Sequence, residues 1–341
     1  MRGFLSCLGM AFVALAIGAS LFAHAAWLRR PIAGEPIKIV VAEGDTYADV
    51  RDTLVQAKLV SKFGYGLYAK MSRDPERPKA GEYEFRKRSS YYLIARSIAL
   101  GPERDEISVL IVEGKTIEDE AEALRAYDVD PEDVYRLAGR SKNLSDFDHA
   151  LADDFEFLRD IPRDQSLEGY LFPDTYRVWK DELPQALIRK QLAIFSDRVI
   201  NPLSEKQDAS GMTWHAVITL ASIVEAEVQK PEDRKIVAGI FLKRLQNSMR
   251  LQSDATLNYV IGEGRARATA QDLELDSPYN TYRVDGLPPG PINNPGLSAI
   301  QAVLEPTDSE YLYFLSDEEG RMYYAKTFEE HKQKKIEAFG S

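Results

Sequence analysis

The stretch IKIVVAEGDTYADVRDTL at residues 37–54 decides how this chain is read, because it returns without a gap as ISVLIVEGKTIEDEAEAL at residues 107–124. The copies agree at Ile37 and Ile107, at Glu43-Gly44 and Glu113-Gly114, at Thr46 and Thr116, at Asp49 and Asp119, and at Leu54 and Leu124. Each opens on an apolar, β-rich run, residues 37–41 and 107–112, which reads as a strand. Each turns at Glu-Gly, where glycine accepts a positive φ. Each then places a threonine where its hydroxyl can cap a helix. After the first copy, residues 54–60 close one helix and residues 63–71 suggest a second. Residues 81–85 (GEYEF) alternate like a returning strand, and residues 90–100 read as another helix. The second copy runs on into acidic helices at residues 131–138 and 150–157.

Upstream of the repeat, residues 3–28 carry no formal charge, and only His24 can titrate. At about 1.5 Å per residue, a helix of that length crosses a hydrocarbon core about 30 Å thick. Trp27 suits the interface as an aromatic anchor, and Arg29 and Arg30 suit it by snorkelling. The competing reading is a cleaved signal peptide, since Ala23-His24-Ala25 has the small-x-small pattern of a cleavage site. The apolar stretch is long for a signal core, which favours a retained single-pass anchor over residues 1–30. Either way the rest of the chain is exported.

Composition bounds the function. The 341 residues are 44% apolar, 28% charged and 10% aromatic, as in ordinary globular protein of two or three domains. A net charge of −11 argues against nucleic acid and against a body that clings to anionic lipid. It leaves an uncharged sugar substrate open. Cys7 is the single cysteine, so no intrachain disulfide or cysteine metal cluster can form. The histidines (His24, His149, His215, His331) never fall at i, i+4, and no metal or cofactor is expected.

Downstream of residue 159 the texture changes. Residues 166–176 pack three aromatics and a proline around Glu168. Helices are predicted at residues 183–200, 213–228 and 231–247, the last with Pro231 at its first position. Asp254 is placed to cap a short helix through Tyr259. Residues 286–296 form a stiff loop with four prolines and three glycines, followed by a helix at 297–304, a hairpin (311–315 and 321–325) turned at Glu319-Gly320, and a charged helix at 328–338.

The helix at 213–228 carries an anomaly. At 100° per residue Glu225 lies within about 40° of Trp214, Ile218 and Ala221, on the apolar stripe, whereas Glu227 lies about 200° away on the predicted solvated side. Desolvation disfavours a carboxylate and raises its pKa, which is what acid-catalysed glycosidic cleavage requires. The same position also suits an ion pair with Arg234 or Arg244.

Two resemblances sharpen this. Strand, Glu-Gly-x-Thr and helix resemble the start of a LysM module, a small β-α-α-β glycan-binding fold. Residues 167–176 (LEGYLFPDTY), 220–227 (LASIVEAE), 249–256 (MRLQSDAT), 277–282 (SPYNTY) and 286–296 (GLPPGPINNPG) resemble, in order, the motifs of the endolytic murein transglycosylases, the YceG-like proteins. The resemblance implies an α+β fold: an N-terminal transmembrane helix (residues 1–30), a LysM-like module (36–105) and a mixed, largely helical catalytic domain (106–341), of which residues 106–160 form either its start or a second LysM-like element. It implies non-hydrolytic cleavage of the β-1,4 bond between N-acetylmuramic acid and N-acetylglucosamine within peptidoglycan strands, leaving 1,6-anhydro ends, with Glu225 as acid and base. Glu168, Tyr170, Gln252, Asp254, Tyr279, Asn280 and Tyr282 are the expected substrate contacts, with Tyr170 and Tyr279 stacking on sugar rings. Such an enzyme is expected at the bacterial cytoplasmic membrane with its body outside, near peptidoglycan synthases. The rivals are a two-carboxylate muramidase using Asp254 or Glu168 beside Glu225, and a non-catalytic wall-binding scaffold. A serine or zinc amidase lacks its motifs here.

Overall fold

The computed structural model describes residues 2–72, 77–102, 104–140, 147–262, 269–317 and 319–340, with the backbone alone over residues 2–11. The chain divides into two compact units, Met1–Arg104 and Asp105–Ser341.

In the first unit, strand Ile37–Val41 pairs antiparallel with Gly81–Phe85, Ile39 facing Tyr83. Strict alternation buries Ile39, Val41, Tyr83 and Phe85 and turns Lys38, Val40, Glu82 and Glu84 outward. Helices Tyr47–Gln56 and Lys62–Met71 lie between the strands, and Tyr91–Leu100 follows them. The first is opened by a capping box: Thr46 accepts from the Asp49 N–H while the Asp49 carboxylate accepts from the Thr46 N–H. An N-terminal helix, Arg2–Ala23, runs on through the π-helical turn His24–Leu28. The expected anchor does not end short of this unit: Ala26 is buried in the unit's core, and Trp27 meets Tyr68 edge-on at 5.7 Å. Among the described residues no helix is long and apolar enough to cross a membrane. The side chain of Cys7 lies outside the described residues.

In the second unit, strand Glu106–Leu110 pairs antiparallel with Thr175–Trp179, Ile107 facing Val178. Thr116 and Asp119 form the same capping box at the start of helix Ile117–Leu124. The helix expected at 150–157 shrinks to Leu151–Asp154 plus a 3₁₀ turn, Glu156–Asp160, because Phe155 is extended and breaks it. The helix expected to stop at residue 200 instead continues: Gln185–Phe195 passes through a π turn, Ser196–Ile200, into Asn201–Ser210. Pro202 falls in the first turn after the widened segment, where its missing N–H and its ring are tolerated.

The unit is organised around helix Trp214–Glu227. Thr213 caps it through the Ala216 N–H, and residues 217–224 are all buried. Helices Pro231–Gln246, Asp254–Ile261 and Leu297–Leu304 pack around it. It ends where Val228 turns extended (φ −137°), and Pro231 opens the next helix. A hairpin, Tyr313–Ser316 with Met322–Ala325, and a last helix, Phe328–Phe339, complete the chain.

Candidate active site

Glu225 and Glu227, two residues apart at the end of the central helix, lie in different surroundings. Glu225 forms an ion pair with Arg234 at 2.5 Å, both side chains 7% exposed. Its second oxygen accepts the Gly296 N–H at 3.0 Å. The Arg234 Nε–H donates to the Val228 carbonyl, so one guanidinium closes the end of the central helix and also neutralises Glu225. Burial pushes the Glu225 carboxyl above its usual range, against the pull of Arg234 and of the Gly296 N–H. Glu113, from the second Glu-Gly pair, lies against Gly296 and adds to that push: a Cβ at residue 296 would come within 2.2 Å of its carboxyl carbon. Both oxygens of Glu225 are thus occupied by fixed partners.

Glu227 is half-buried rather than solvated as its helical angle predicts, because the segment carrying Ser253 folds over it. The Ser253 hydroxyl donates to its carboxylate at 2.5 Å. Burial raises its pKa, the Ser253 hydroxyl lowers it, and the charge of Asp254 raises it. Glu227, Gln252, Asp254, Tyr282 and Arg244 line a cavity of about 670 Å³. Arg244 is fixed by bonds from its guanidinium to the Leu312 and Leu251 carbonyls, both 2.7 Å. Gln252 holds a left-handed backbone, φ +52°, that a non-glycine residue adopts only under constraint. A second cavity of about 570 Å³, with Thr116 and Asn293 in its walls, shares Ala226, Ala255 and Asn258 with the first. The two meet at these residues as one groove beside the end of the central helix.

Of the expected substrate contacts, Gln252, Asp254 and Tyr282 come together in this groove. Asp254 does not cap its helix; it stands at the first position and accepts the Tyr282 hydroxyl at 2.7 Å. The other four serve the frame. Tyr170 is 1% exposed among Phe157 and Phe195, with no face left for a sugar, and its hydroxyl meets His215 Nδ1. His215 Nε2 faces the Pro289 carbonyl at 2.7 Å, so Nε2 carries the proton and Nδ1 accepts from the tyrosine. Tyr279 is likewise buried, packed on Tyr259. Asn280 is fully buried, its amide donating to the Leu273 and Leu275 carbonyls. Glu168 is buried and accepts the Ile117 N–H at 3.1 Å.

Asn294 ties these motifs together, a role the sequence reading missed. Its Oδ1 accepts the Gly169 and Leu171 N–H groups at 2.8 and 3.1 Å, and its Nδ2 donates to the Lys115 carbonyl at 3.1 Å. Ser222 does the same for the central helix, accepting the Ile292 N–H at 3.0 Å. The signal available was the Asn-Asn pair inside a proline loop; the backbone groups that Asn294 satisfies lie in other segments, at Lys115, Gly169 and Leu171.

The YceG-like family profile matches residues 39–337. The chain belongs to the YceG-like family. It is 32% identical over 326 residues to a Streptococcus pneumoniae protein named endolytic murein transglycosylase, covering 89% of this chain and 59% of that protein. It is 38% identical over 169 residues to a Bacillus subtilis protein of the same name, covering 50% of this chain and 47% of that one. The YceG-like chain therefore spans about half to three-fifths of these relatives' lengths. The crystal structure of a YceG-like protein from Listeria monocytogenes superposes with a TM-score of 0.58 at 30% identity, covering 88% of this chain and 99% of that one.

Proposed function

We propose that the chain is an endolytic peptidoglycan lytic transglycosylase; the family resemblance assigns its acid and base to Glu225, and the cavity lining favours Glu227, with Glu225 holding the end of the central helix in place. The observation that carries this reading is the contrast between the two glutamates: both are pushed toward the protonated form, but only Glu227 lines the groove. An open groove that continues from the cavity of Glu227 into a second one suits cleavage inside a strand. In the reaction Glu227 protonates the glycosidic oxygen as the C1–O bond breaks. The C6 hydroxyl of the same sugar attacks C1 and passes its proton to the Glu227 carboxylate. No water is consumed, and one carboxyl group serves both steps. Arg244, whose charge favours ionised Glu227, helps hold that carboxylate between the steps. Gln252 and Tyr282 offer polar groups for hydroxyl and N-acetyl recognition.

The deciding experiment is digestion of purified sacculi by the unmodified chain, Glu227→Gln and Glu225→Gln, with products read by mass spectrometry. Anhydro ends that vanish in Glu227→Gln and persist in a folded Glu225→Gln support the reading; the reverse pattern overturns the assignment. Asp254, in the same cavity, favours one rival, hydrolysis by two carboxylates. Reducing ends in place of anhydro ends would establish it.

The reading extends to the first unit and to location. The β-α-α-β order of residues 37–85 is that of a LysM-like module, and a cavity of about 460 Å³ with the exposed rings of Tyr47 and Tyr92 in its walls suits stacking on sugars. The uncharged stretch at residues 3–28 supports a single-pass anchor in the cytoplasmic membrane, with the body outside and near wall synthases. The packing of Ala25 and Ala26 on the first unit's core supports retention over cleavage after Ala25.

A further inference from the structure

The last helix, Phe328–Phe339, turns Phe328, His331, Lys335 and Phe339 to the larger cavity. Spaced three and four residues apart, they form one helical face. The other lysines near that face are occupied: Lys332 pairs with Glu329 at 2.7 Å and Lys334 with Glu337 at 2.9 Å. Lys335 is exposed and makes no ion pair among the described residues, although the chain as a whole is strongly acidic. His331 lies beside it, 5.6 Å from the Tyr313 ring, and the Arg244 guanidinium lies over that ring at 5.1 Å. Burial and the neighbouring cations Arg244 and Lys335 hold His331 toward its neutral form, so the formal charge that the last helix turns to the cavity is the Lys335 ammonium; the same cavity also holds Glu227 and Asp254.

Neutral sugar hydroxyls and N-acetyl groups give the Lys335 ammonium no anion to pair with. Wall glycan carries its carboxylates on the peptides appended to the muramic acid lactyl groups. We propose that this end of the groove is a carboxylate subsite that reads the appended peptide, with Lys335 as its specificity determinant, so that strands with free peptide carboxylates are preferred over strands in which those carboxylates are amidated. The proposal rests on the transglycosylase reading. A lysine ammonium on a flexible stem suits a carboxylate whose position varies from one strand to the next.

The test uses the full chain in mild detergent. Cleavage kinetics are measured on glycan strands with their peptides and on the same strands with the peptide carboxylates amidated. Lys335→Gln raises KM for the strands with free carboxylates about tenfold, as expected for loss of one charge-assisted contact, with kcat unchanged. Lys335→Glu raises it further. Neither change alters KM for the amidated strands, and raised salt narrows the unmodified protein's preference. Thermal unfolding confirms that both variants fold, as an exposed position predicts. Equal effects on both substrates, or none on either, overturn the subsite. Absence of lytic products from the unmodified protein on both substrates sinks the underlying reading as well, so the two failures are distinguishable.

Discussion

Glu225 and Glu227 answer differently to substitution. Glu225→Ala leaves the Arg234 guanidinium buried without its counter-charge, and loss of one partner of such a pair costs about 3–5 kcal/mol. Chemical denaturation of the second unit reads that loss as a lower midpoint. Glu227→Gln preserves shape and the bond from Ser253; its expected effect is on turnover, a fall of about 10²–10⁴-fold, with little change in stability. The pH profile follows from the raised Glu227 pKa. A general acid must be protonated, so activity persists above the ordinary glutamate range and declines as pH rises through the raised value. A decline already complete near the ordinary glutamate pKa would contradict this. Glu225 itself was legible as an anomaly on an apolar stripe, and its ionic partner Arg234 as one of two candidates. The environment of Glu227 was not, because a helical wheel shows only the helix's own faces. Ser253 and Asp254 arrive from a segment 26 and 27 residues further along the chain.

Between elements, two contacts make checkable claims. Glu120, on helix Ile117–Leu124, is buried against Gln191 on helix Gln185–Phe195, whose amide donates to it at 2.9 Å. The other oxygen of each side chain has no partner among the described residues. A protonated Glu120 can donate to that Gln191 oxygen and satisfy both, and burial pushes its pKa from 4.5 up to about 7. The folded state therefore holds a proton that the unfolded state releases between these values. Stability is full below the lower value and falls as pH rises through the upper one, by about 3 kcal/mol in all. Glu120→Gln keeps the paired geometry and flattens this slope; denaturation midpoints at several pH values read the difference. The second contact is Gly169, held at φ +91° with the ring of Pro291 2.5 Å from where a Cβ would stand. Gly169→Ala costs roughly 2 kcal/mol or more through strain and overpacking. Melting temperatures check it. The glycine was visible in the motif, but its neighbour lies 122 positions away in the proline loop.

For the whole molecule, the two units have separate cores, so two unfolding transitions are expected, and residues 105–341 are expected to fold alone and to carry the proposed cleaving activity. A single cooperative transition in calorimetry, or an unfolded fragment, would refute this. The sequence by itself determined what local chemistry can: the strand that opens each repeat copy and the alternating one at 81–85, the threonine caps at Thr46 and Thr116, helix starts at Pro131 and Pro231, and the family from five ordered motifs. These depend on neighbours along the chain or on residue order. The tertiary structure alone decided which motif residues face the groove, that Tyr170, Tyr279, Asn280 and Glu168 build its frame, and that Asn294 ties the loops together. Burial and hydrogen-bond partnership depend on segments distant in the chain, and an aromatic suited to stack on a sugar is equally suited to fill a core.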